Sequence, residues 1–412
     1  MSIIFLYVYI LTNVVIFILY YKKNYGIFQT PCLFSIVSLT FVVPQLFQVI
    51  RFIQEPDSYM NLSLVVMTSC SIGVTLGFKM GNDYPNKKRN VTTLDSRRIN
   101  YIILLLAIIG IGATLMNRGA YKGGFVSGTF VVINFFASYL DYLLITLLVC
   151  WYKKMGISKI GYFLLCLIVF VQIDKFLISA RRGEAIQFVL TLAFFYFFMH
   201  PVSQYQRFKW IIPTFFVVGL FLNSQIGKYR ENAYSNNVSI SENIKNLDFG
   251  FTQKKATLQN QEINNAILGI NACFENGVYD FGSFNWNGLV KNFVPKKMKG
   301  EDFKQSLMFP LRNEALVNKL SKSGSTMTGY YDAFTSFGIF AGIKFLFIGL
   351  ILGRLWKKAE KSVLSLILYV ALMSPSLHSI THSTNNFFSC IIFFLLFVYP
   401  LFRFSIVKDM ND

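Results

Sequence analysis

Residues 3–21 read IIFLYVYILTNVVIFILYY, an apolar run without a charged side chain. Such a run is long enough to cross the hydrocarbon core of a bilayer, which takes about 20 residues of helix. The apolar residues come in blocks of this kind rather than at alternating or helical spacing, which excludes a soluble fold. We therefore predict an all-α, polytopic integral membrane protein of about 11 transmembrane helices. The other ten predicted spans are residues 27–50, 60–78, 99–116, 130–152, 160–178, 184–199, 210–226, 328–352, 362–380 and 386–403.

The basic residues predict the orientation of these spans. The chain has 39 Lys and Arg against 20 Asp and Glu, but the cations are spread over short connections, which does not suit a nucleic-acid partner. One set of connections carries 19 of them: Lys22, Lys23, Lys79, Lys87, Lys88, Arg89, Arg97, Arg98, Lys153, Lys154, Lys159, Arg207, Lys209, Arg354, Lys357, Lys358, Lys361, Arg403 and Lys408. The opposite short connections carry five: Arg51, Arg118, Lys122, Arg181 and Arg182. The positive-inside rule predicts an outer N-terminus and a cytoplasmic C-terminus.

A polar stretch separates the eighth and ninth predicted spans. It divides the chain into a membrane domain at 1–226, a large outer loop at 227–327 and a second membrane domain at 328–412. Loops of this length are usually functional or disordered. Disordered segments seldom carry many aromatic residues, so we expect this one to fold onto the membrane face. Its aromatic residues are Phe274, Tyr279, Phe281, Phe284, Trp286, Phe293 and Phe303.

Basic residues of the predicted outer face are candidates for binding an anionic group. Guanidinium groups present a planar donor fork suited to phosphate oxygens. If the large loop folds back, three clusters could converge on a diphosphate: Arg181 with Arg182, Lys228 with Arg230, and Arg312. The alternative is that these side chains touch lipid headgroups or are simply solvated. Possible proton acceptors near the same face are Glu184, Glu231, Glu314, Asp332, His378 and His382.

His378 and His382 are four residues apart, which places them on one face of a helix. The chain has neither an HExxH motif nor a CxxC pair, so we expect no metal and no cofactor. One histidine could act as a general base; the alternative is a polar helix end. Charged residues inside spans are costly, and they indicate either a functional site or an ion pair between helices. They are Asp141, Asp174, Lys175 and Lys344.

The ninth predicted span contains two pairs of small residues, Gly338 with Gly342 and Gly349 with Gly353. Glycines at this spacing allow two helix backbones to approach closely. We expect tight packing there and no chemistry.

The topology and one segment resemble a known family. The segment is Gly329–Ile339, GYYDAFTSFGI, which opens the ninth span after a long late outer loop. Together with the short outer connection Ser179–Glu184, it resembles the Wzy family of O-antigen and capsule repeat-unit polymerases. The resemblance covers nearly the full length by topology, but its sequence motifs are short.

The resemblance implies a GT-C-like fold in the bacterial cytoplasmic membrane and an enzyme that joins undecaprenyl-diphosphate-linked oligosaccharide repeat units on the outer face. It implies outer-loop arginines at the diphosphate, matched here by Arg181 or Arg182 and by Arg230 or Arg312. No nucleotide sugar is involved, and a chain-length regulator and a flippase are the expected partners. Two alternatives remain: an O-antigen ligase, and a flippase or other transporter for lipid-linked oligosaccharides.

Overall fold

The computed structural model describes residues 2–52, 56–85, 93–117, 133, 135–153, 159–179, 182–214, 262–294, 296–310 and 327–407. At 52, 93–94, 175–179, 182–185, 296–299 and 406–407 it describes the backbone alone. In these ranges the chain is helical almost throughout. Thr93–Leu94 (β1) and Ile406–Val407 (β2) form a short antiparallel pair. The predicted all-α class is confirmed.

The helices of the described ranges follow in chain order. They are α1 Ser2–Tyr21, α2 Thr30–Val37, α3 Val43–Phe52, α4 Asp57–Asp83, α5 Ser96–Met116, α6 Tyr139–Tyr152, α7 Lys159–Ser179, α8 Arg182–Met199, α9 Val202–Phe208, α10 Glu262–Asn276, α11 Ser283–Phe293, α12 Lys296–Ser306, α13 Gly329–Phe337, α14 Gly342–Ala359, α15 Val363–Thr381, α16 Asn385–Phe393 and α17 Tyr399–Arg403. A π-helical turn at Ser38–Val42 joins α2 to α3, and another at Phe394–Val398 joins α16 to α17.

Seven stretches of the described chain are long and apolar enough to span a membrane. They are Ser2–Tyr21, Thr30–Arg51, Asp57–Asp83, Ser96–Met116, Phe135–Tyr152, Val363–Thr381 and Asn385–Arg403. The bent pair α13–α14 is an eighth candidate. The protein is therefore a polytopic membrane protein. The predicted runs 160–178 and 184–199 are helical, as α7 and α8, whereas most of the run 210–226 lies outside the described residues.

The predicted span 328–352 is not one straight helix. Its two halves, Gly329–Phe340 and Gly342–Ala359, meet at an angle of 111°. Gly338 ends α13 with φ 56° and ψ −134°, a conformation that only a residue without a Cβ adopts readily. Whether the bent pair crosses the membrane as one span stays a prediction; hydropathy did not predict the bend, because it records the apolar length of a segment and not its direction.

The chain divides into two compact units. The first comprises Met1–Pro85, Gln253–Lys357 and Pro375–Ile392, and the second comprises Asn86–Thr252, Lys358–Ser374 and Phe393–Asp412. The predicted division at residues 226 and 327 stays a prediction, because 215–261 and 311–326 lie outside the described residues.

Glycines form the contact between α4 and α14 in the first unit. A Cβ added to Gly77 would lie 2.0 Å from the carbonyl oxygen of Leu346, and one added to Gly349 would lie 2.1 Å from that of Val74. Neither position can take a side chain unless the helices separate. The predicted close packing is confirmed at Gly342, Gly349 and Gly353, whereas Gly338 lies at the bend instead.

Helix α10 of the polar segment packs against α3, α4 and α13 in the first unit. The Ile263 amide donates to Oε1 of Gln45 at 3.2 Å, and Nδ2 of Asn271 donates to the Tyr59 carbonyl at 3.1 Å. α3 ends and α4 begins on one side of the membrane, and Ser2 Oγ donates to Asp57 there at 3.0 Å. We call this the Asp57 side. The polar segment packs at the Asp57 side, which the charge pattern predicts to be outside.

The second unit is built around α5 and α6. Asp95 caps α5, with Oδ1 accepting from the Arg97 amide at 2.8 Å. α6 is buried along most of its length among α5, α7 and α8. The rings of Tyr142 and Phe393 stack at 5.6 Å. Asp141, one of the charged residues predicted within spans, accepts a hydrogen bond from Gln172 at 2.6 Å. This contact joins α6 to α7.

Candidate functional site

A buried ion pair joins the two halves of the bent helix in the first unit. Nζ of Lys344 on α14 lies 2.8 Å from Oδ1 of Asp332 on α13. Both side chains are almost completely excluded from the surface. Burying two charges is expensive unless their remaining hydrogen-bonding capacity is also satisfied. The surrounding side chains meet that requirement.

The ammonium of Lys344 has three hydrogens and three side-chain partners. Besides Asp332 it donates to Oδ1 of Asn285 and to Oγ of Ser336, the latter at 2.9 Å. Asn285 belongs to α11 of the polar segment, and Ser336 lies on the last turn of α13. One cation therefore holds α11, α13 and α14 together.

The second oxygen of Asp332 is occupied by the residue that precedes α16. Oδ2 accepts from the amide of Thr384 at 2.8 Å and from its hydroxyl at 2.6 Å. Nδ2 of Asn285 donates back to the Thr384 hydroxyl at 3.2 Å. The carboxylate thus has no free oxygen in this conformation. Its geometry suits a counter-ion that fixes helix positions better than a base that takes up a proton.

Two residues at the start of α13 fix the position of this helix, which carries Asp332 of the ion pair. Thr328 caps the helix, its side chain accepting from the Tyr331 amide at 3.3 Å. A Cβ at Gly329 would lie 1.7 Å from the Ser379 carbonyl oxygen, so glycine is required for α13 to approach α15. The segment Gly329–Ser336, which carries most of the family resemblance, is buried throughout.

The turn before α11 is also hydrogen-bonded to the residues around the ion pair. Oδ1 of Asp280 accepts from the Ser336 hydroxyl at 3.1 Å, and the Asp280 amide donates to the Thr335 carbonyl at 2.8 Å. The ring of Tyr279 lies beside Gly338 at the bend. Partial burial raises the pKa of the Tyr279 hydroxyl above its usual value, and the nearby Cys273 raises it further.

His378 and His382 stack with ring centroids 4.1 Å apart, so the predicted shared face is confirmed. Both side chains are half-buried. Nδ1 of His382 lies 2.9 Å from the hydroxyl of Thr381. Thr384, which donates to Asp332, follows His382 by two residues, so the histidine pair borders the ion-pair network. Both histidines are more exposed than Asp332. Within the described residues, no three His, Cys, Asp or Glu side chains gather as a metal would require.

The predicted diphosphate site falls mostly on residues that the structure does not describe. Arg181, Lys228, Arg230, Glu231, Arg312 and Glu314 lie outside the described residues. Arg182 and Glu184 begin α8, where the backbone alone is described. Whether the arginines converge therefore stays a prediction. Of the predicted proton acceptors, the structure brings Asp332, His378 and His382 into one part of the first unit.

No family model matches this sequence, and no curated protein and no solved structure is significantly similar to it. The resemblance to repeat-unit polymerases therefore depends on the segment Gly329–Ile339 and on the order of spans and loops.

Sequence reasoning found Asp332 and Lys344 separately and missed their pairing. In a straight helix, residues twelve apart are separated by about 18 Å along the axis, so no spacing rule joins them. Asn285, Thr384 and Asp280 were missed altogether. The one usable signal was the charge of Lys344, since a lysine inside an apolar run needs a counter-ion nearby.

Proposed function

We propose that this protein polymerises lipid-linked oligosaccharide repeat units at the outer face of a bacterial cytoplasmic membrane. The observation that supports the proposal is the buried ion pair of Asp332 and Lys344, together with the side chains hydrogen-bonded to it. The segment that resembles repeat-unit polymerases, Gly329–Ile339, packs against the polar helix α10 and is hydrogen-bonded to Asp280 in the turn before α11. A helix broken on the predicted outer side, with a folded polar layer upon it, suits a reaction between two membrane-anchored substrates.

In the proposed reaction, a glycan on undecaprenyl diphosphate is transferred to the non-reducing end of one lipid-linked repeat unit. The bond from the anomeric carbon to the diphosphate breaks, so negative charge develops on the leaving group. Guanidinium groups at fixed positions stabilise such charge most where water is scarce. Arg181 or Arg182, with Lys228, Arg230 and Arg312, would supply these positive charges. The fold would then be GT-C-like, with about 11 spans and the N-terminus outside.

A proton must leave the acceptor hydroxyl as the new glycosidic bond forms. Among the described candidates, His378 and His382 suit this role better than Asp332, because both oxygens of Asp332 already accept hydrogen bonds. Glu184, Glu231 and Glu314 remain candidates. An imidazole changes its charge near neutral pH, which fits general base catalysis.

Deleting the gene tests the proposal and separates it from its alternatives. The surface glycan of the deletion strain should carry a single repeat unit and lose its ladder of longer chains. A ligase would instead leave acceptors without any attached glycan. A flippase or other transporter would leave lipid-linked units trapped on the cytoplasmic side. Either of those two results would overturn the proposal.

The same glycan ladder, run on complemented strains, tests the site. We expect Arg181→Ala, Arg182→Ala, Arg230→Ala and Arg312→Ala to include variants that lose the ladder while the protein still reaches the membrane. Arg207→Ala is the matched control, since Arg207 is exposed in a predicted cytoplasmic connection. Normal ladders in all four variants would remove the proposed diphosphate site.

A further inference from the structure

The turn before α11 holds an aromatic side chain out from the protein. Phe281 has φ 49°, in the left-handed region that is strained for a bulky residue, and Gly282 follows with φ 87°. Oδ1 of Asp280 fixes the turn by accepting from the Gly282 amide at 2.7 Å. The Phe281 side chain is nevertheless 79% exposed. A strained backbone that presents an apolar ring indicates that the ring has a binding partner.

This turn lies at the bend of the membrane helix pair. Asp280 is hydrogen-bonded to Thr335 and Ser336 on the last turn of α13. The ring of Tyr279 lies against Gly338 and 6.3 Å from the ring of Phe281. Phe281 is therefore next to the point where the chain turns into α14.

Exposed apolar side chains continue from the bend along α14. Ile339 and Phe340, at the bend, are 62% and 69% exposed. Ile343 and Phe347 are exposed as well and lie three and seven residues after Phe340, on one face of the helix. α14 is part of a candidate span, so its exposed apolar face contacts acyl chains. Tyr279, which lies between Phe281 and Gly338, places Phe281 near the start of this lipid-facing surface.

Helix α11 runs beside the first turns of the last span. Asn285 bonds to Thr384, and Asn292 bonds to Ser389 at 3.3 Å. Between them Gly288 packs directly against Asn385. These contacts advance along both helices in the same direction, so α11 lies beside the start of the span and not above it.

The side chains of Asn285, Asn287 and Trp286 on α11 are hydrogen-bonded inside the protein. Asn287 donates to the Phe309 carbonyl at 2.7 Å, and Nε1 of Trp286 donates to the Leu307 carbonyl at 2.7 Å. The Trp286 side chain is nonetheless 46% exposed, and its exposed part is apolar because the N–H is already used. A helix within hydrocarbon needs its polar groups paired in this way. Lys291 can extend its ammonium from this level to the headgroups.

We propose that α11 and the turn at Phe281 are inserted into the leaflet on the Asp57 side, with Phe281 and Trp286 in contact with phospholipid acyl chains. The polar segment would then be a layer within the membrane interface and not a loop in water. This inference is independent of the proposed polymerase activity, because it depends on burial and contacts alone.

Tryptophan fluorescence of the full-length protein in vesicles tests the insertion. The chain has four tryptophans, so replacing Trp151, Trp210 and Trp356 by Phe leaves Trp286 as the sole reporter. We expect phosphatidylcholine with brominated acyl chains to quench Trp286 and aqueous iodide to leave it unquenched. A second reporter, Phe281→Trp with all four native tryptophans replaced by Phe, should behave in the same way.

Two control reporters calibrate the measurement in the background without native tryptophans. Leu395→Trp, exposed on the last span, should respond to brominated lipid. Lys361→Trp, exposed in the connection between α14 and α15, should respond to iodide. Quenching of Trp286 and of Phe281→Trp by iodide alone would overturn the proposal. Protection of both from both quenchers would mean that protein covers this face, which also overturns it.

Phe281→Gly separates lipid contact from folding. Glycine adopts the left-handed conformation without strain, so we expect the detergent-solubilised variant to unfold at the same temperature or higher. In vesicles, Trp286 of this variant should lose part of its quenching by brominated lipid. Unchanged lipid quenching would mean that the Phe281 ring does not anchor the turn, contrary to the proposal.

Discussion

Lys344 lies 2.8 Å from Asp332 across a bend of 111°, although the two residues are twelve positions apart in one apolar segment. The bend and the ion pair depend on each other. A straight helix would leave two unpaired charges in the membrane domain, and an uncharged segment would lack the contacts that hold α11 and Thr384 at the bend.

Removing one charge should therefore cost more than removing both. We expect Lys344→Met or Asp332→Asn alone to lower the free energy of unfolding by about 3–5 kcal/mol, because each leaves an uncompensated buried charge or donor. The double variant should recover much of that loss, since the amide side chain introduced by Asp332→Asn would keep an acceptor for Thr384. Thermal unfolding of the four proteins in detergent gives the coupling. Additive losses would show that the two charges do not interact.

The histidine pair gives a prediction tied to the proposed activity. If His382 takes the proton of the acceptor hydroxyl, His382→Gln should lower polymerisation by about 10²–10⁴-fold, the usual contribution of a general base. His378→Gln measures the contribution of His378, which stacks on His382. His200→Gln is the control, because it removes the third histidine, which lies in the second unit. An undiminished glycan ladder in both pair variants would exclude the imidazoles as the base.

The contact between α4 and α14 should be intolerant of a single methyl group. We expect Gly77→Ala to destabilise the protein by about 1–3 kcal/mol, the usual cost of overpacking, because its Cβ would meet the Leu346 carbonyl. At Gly112 on α5 nothing lies within 4 Å of an added Cβ. Gly112→Ala should be neutral or stabilising by up to about 1 kcal/mol through helix propensity. Equal melting temperatures for the two variants would contradict the close packing.

A buried pair of phenols links α1 to α13. The hydroxyls of Tyr9 and Tyr330 are 3.2 Å apart, and both side chains are fully buried. Tyr9→Phe leaves the Tyr330 hydroxyl without this partner and should cost about 1–3 kcal/mol. Tyr7→Phe on the same helix is the control, since the Tyr7 side chain is 63% exposed. Matching losses of stability in the two variants would refute a role for the pair.

Hydropathy was sufficient to predict the membrane class and most span positions, because crossing a bilayer imposes a length of apolar sequence. It could not predict the bend at Gly338, since a glycine in an apolar run is compatible with close packing as well as with a turn. The packing role of Gly349 and Gly353 was predictable from spacing, because helix periodicity decides which residues share a face. The hydrogen bond between Asn285 and Thr384 was not predictable, because it joins segments about 100 residues apart in the sequence.

The glycine contact also has a consequence during synthesis. α4 enters the bilayer long before α14 is made, because more than 250 residues separate Asp83 from Gly342. Until then Gly73, Gly77 and Gly81 face lipid without the helix that matches them. The nascent chain therefore carries an unpaired association surface for most of its translation. Products that stop before α14 would retain that surface and would be prone to associate with other helices through it.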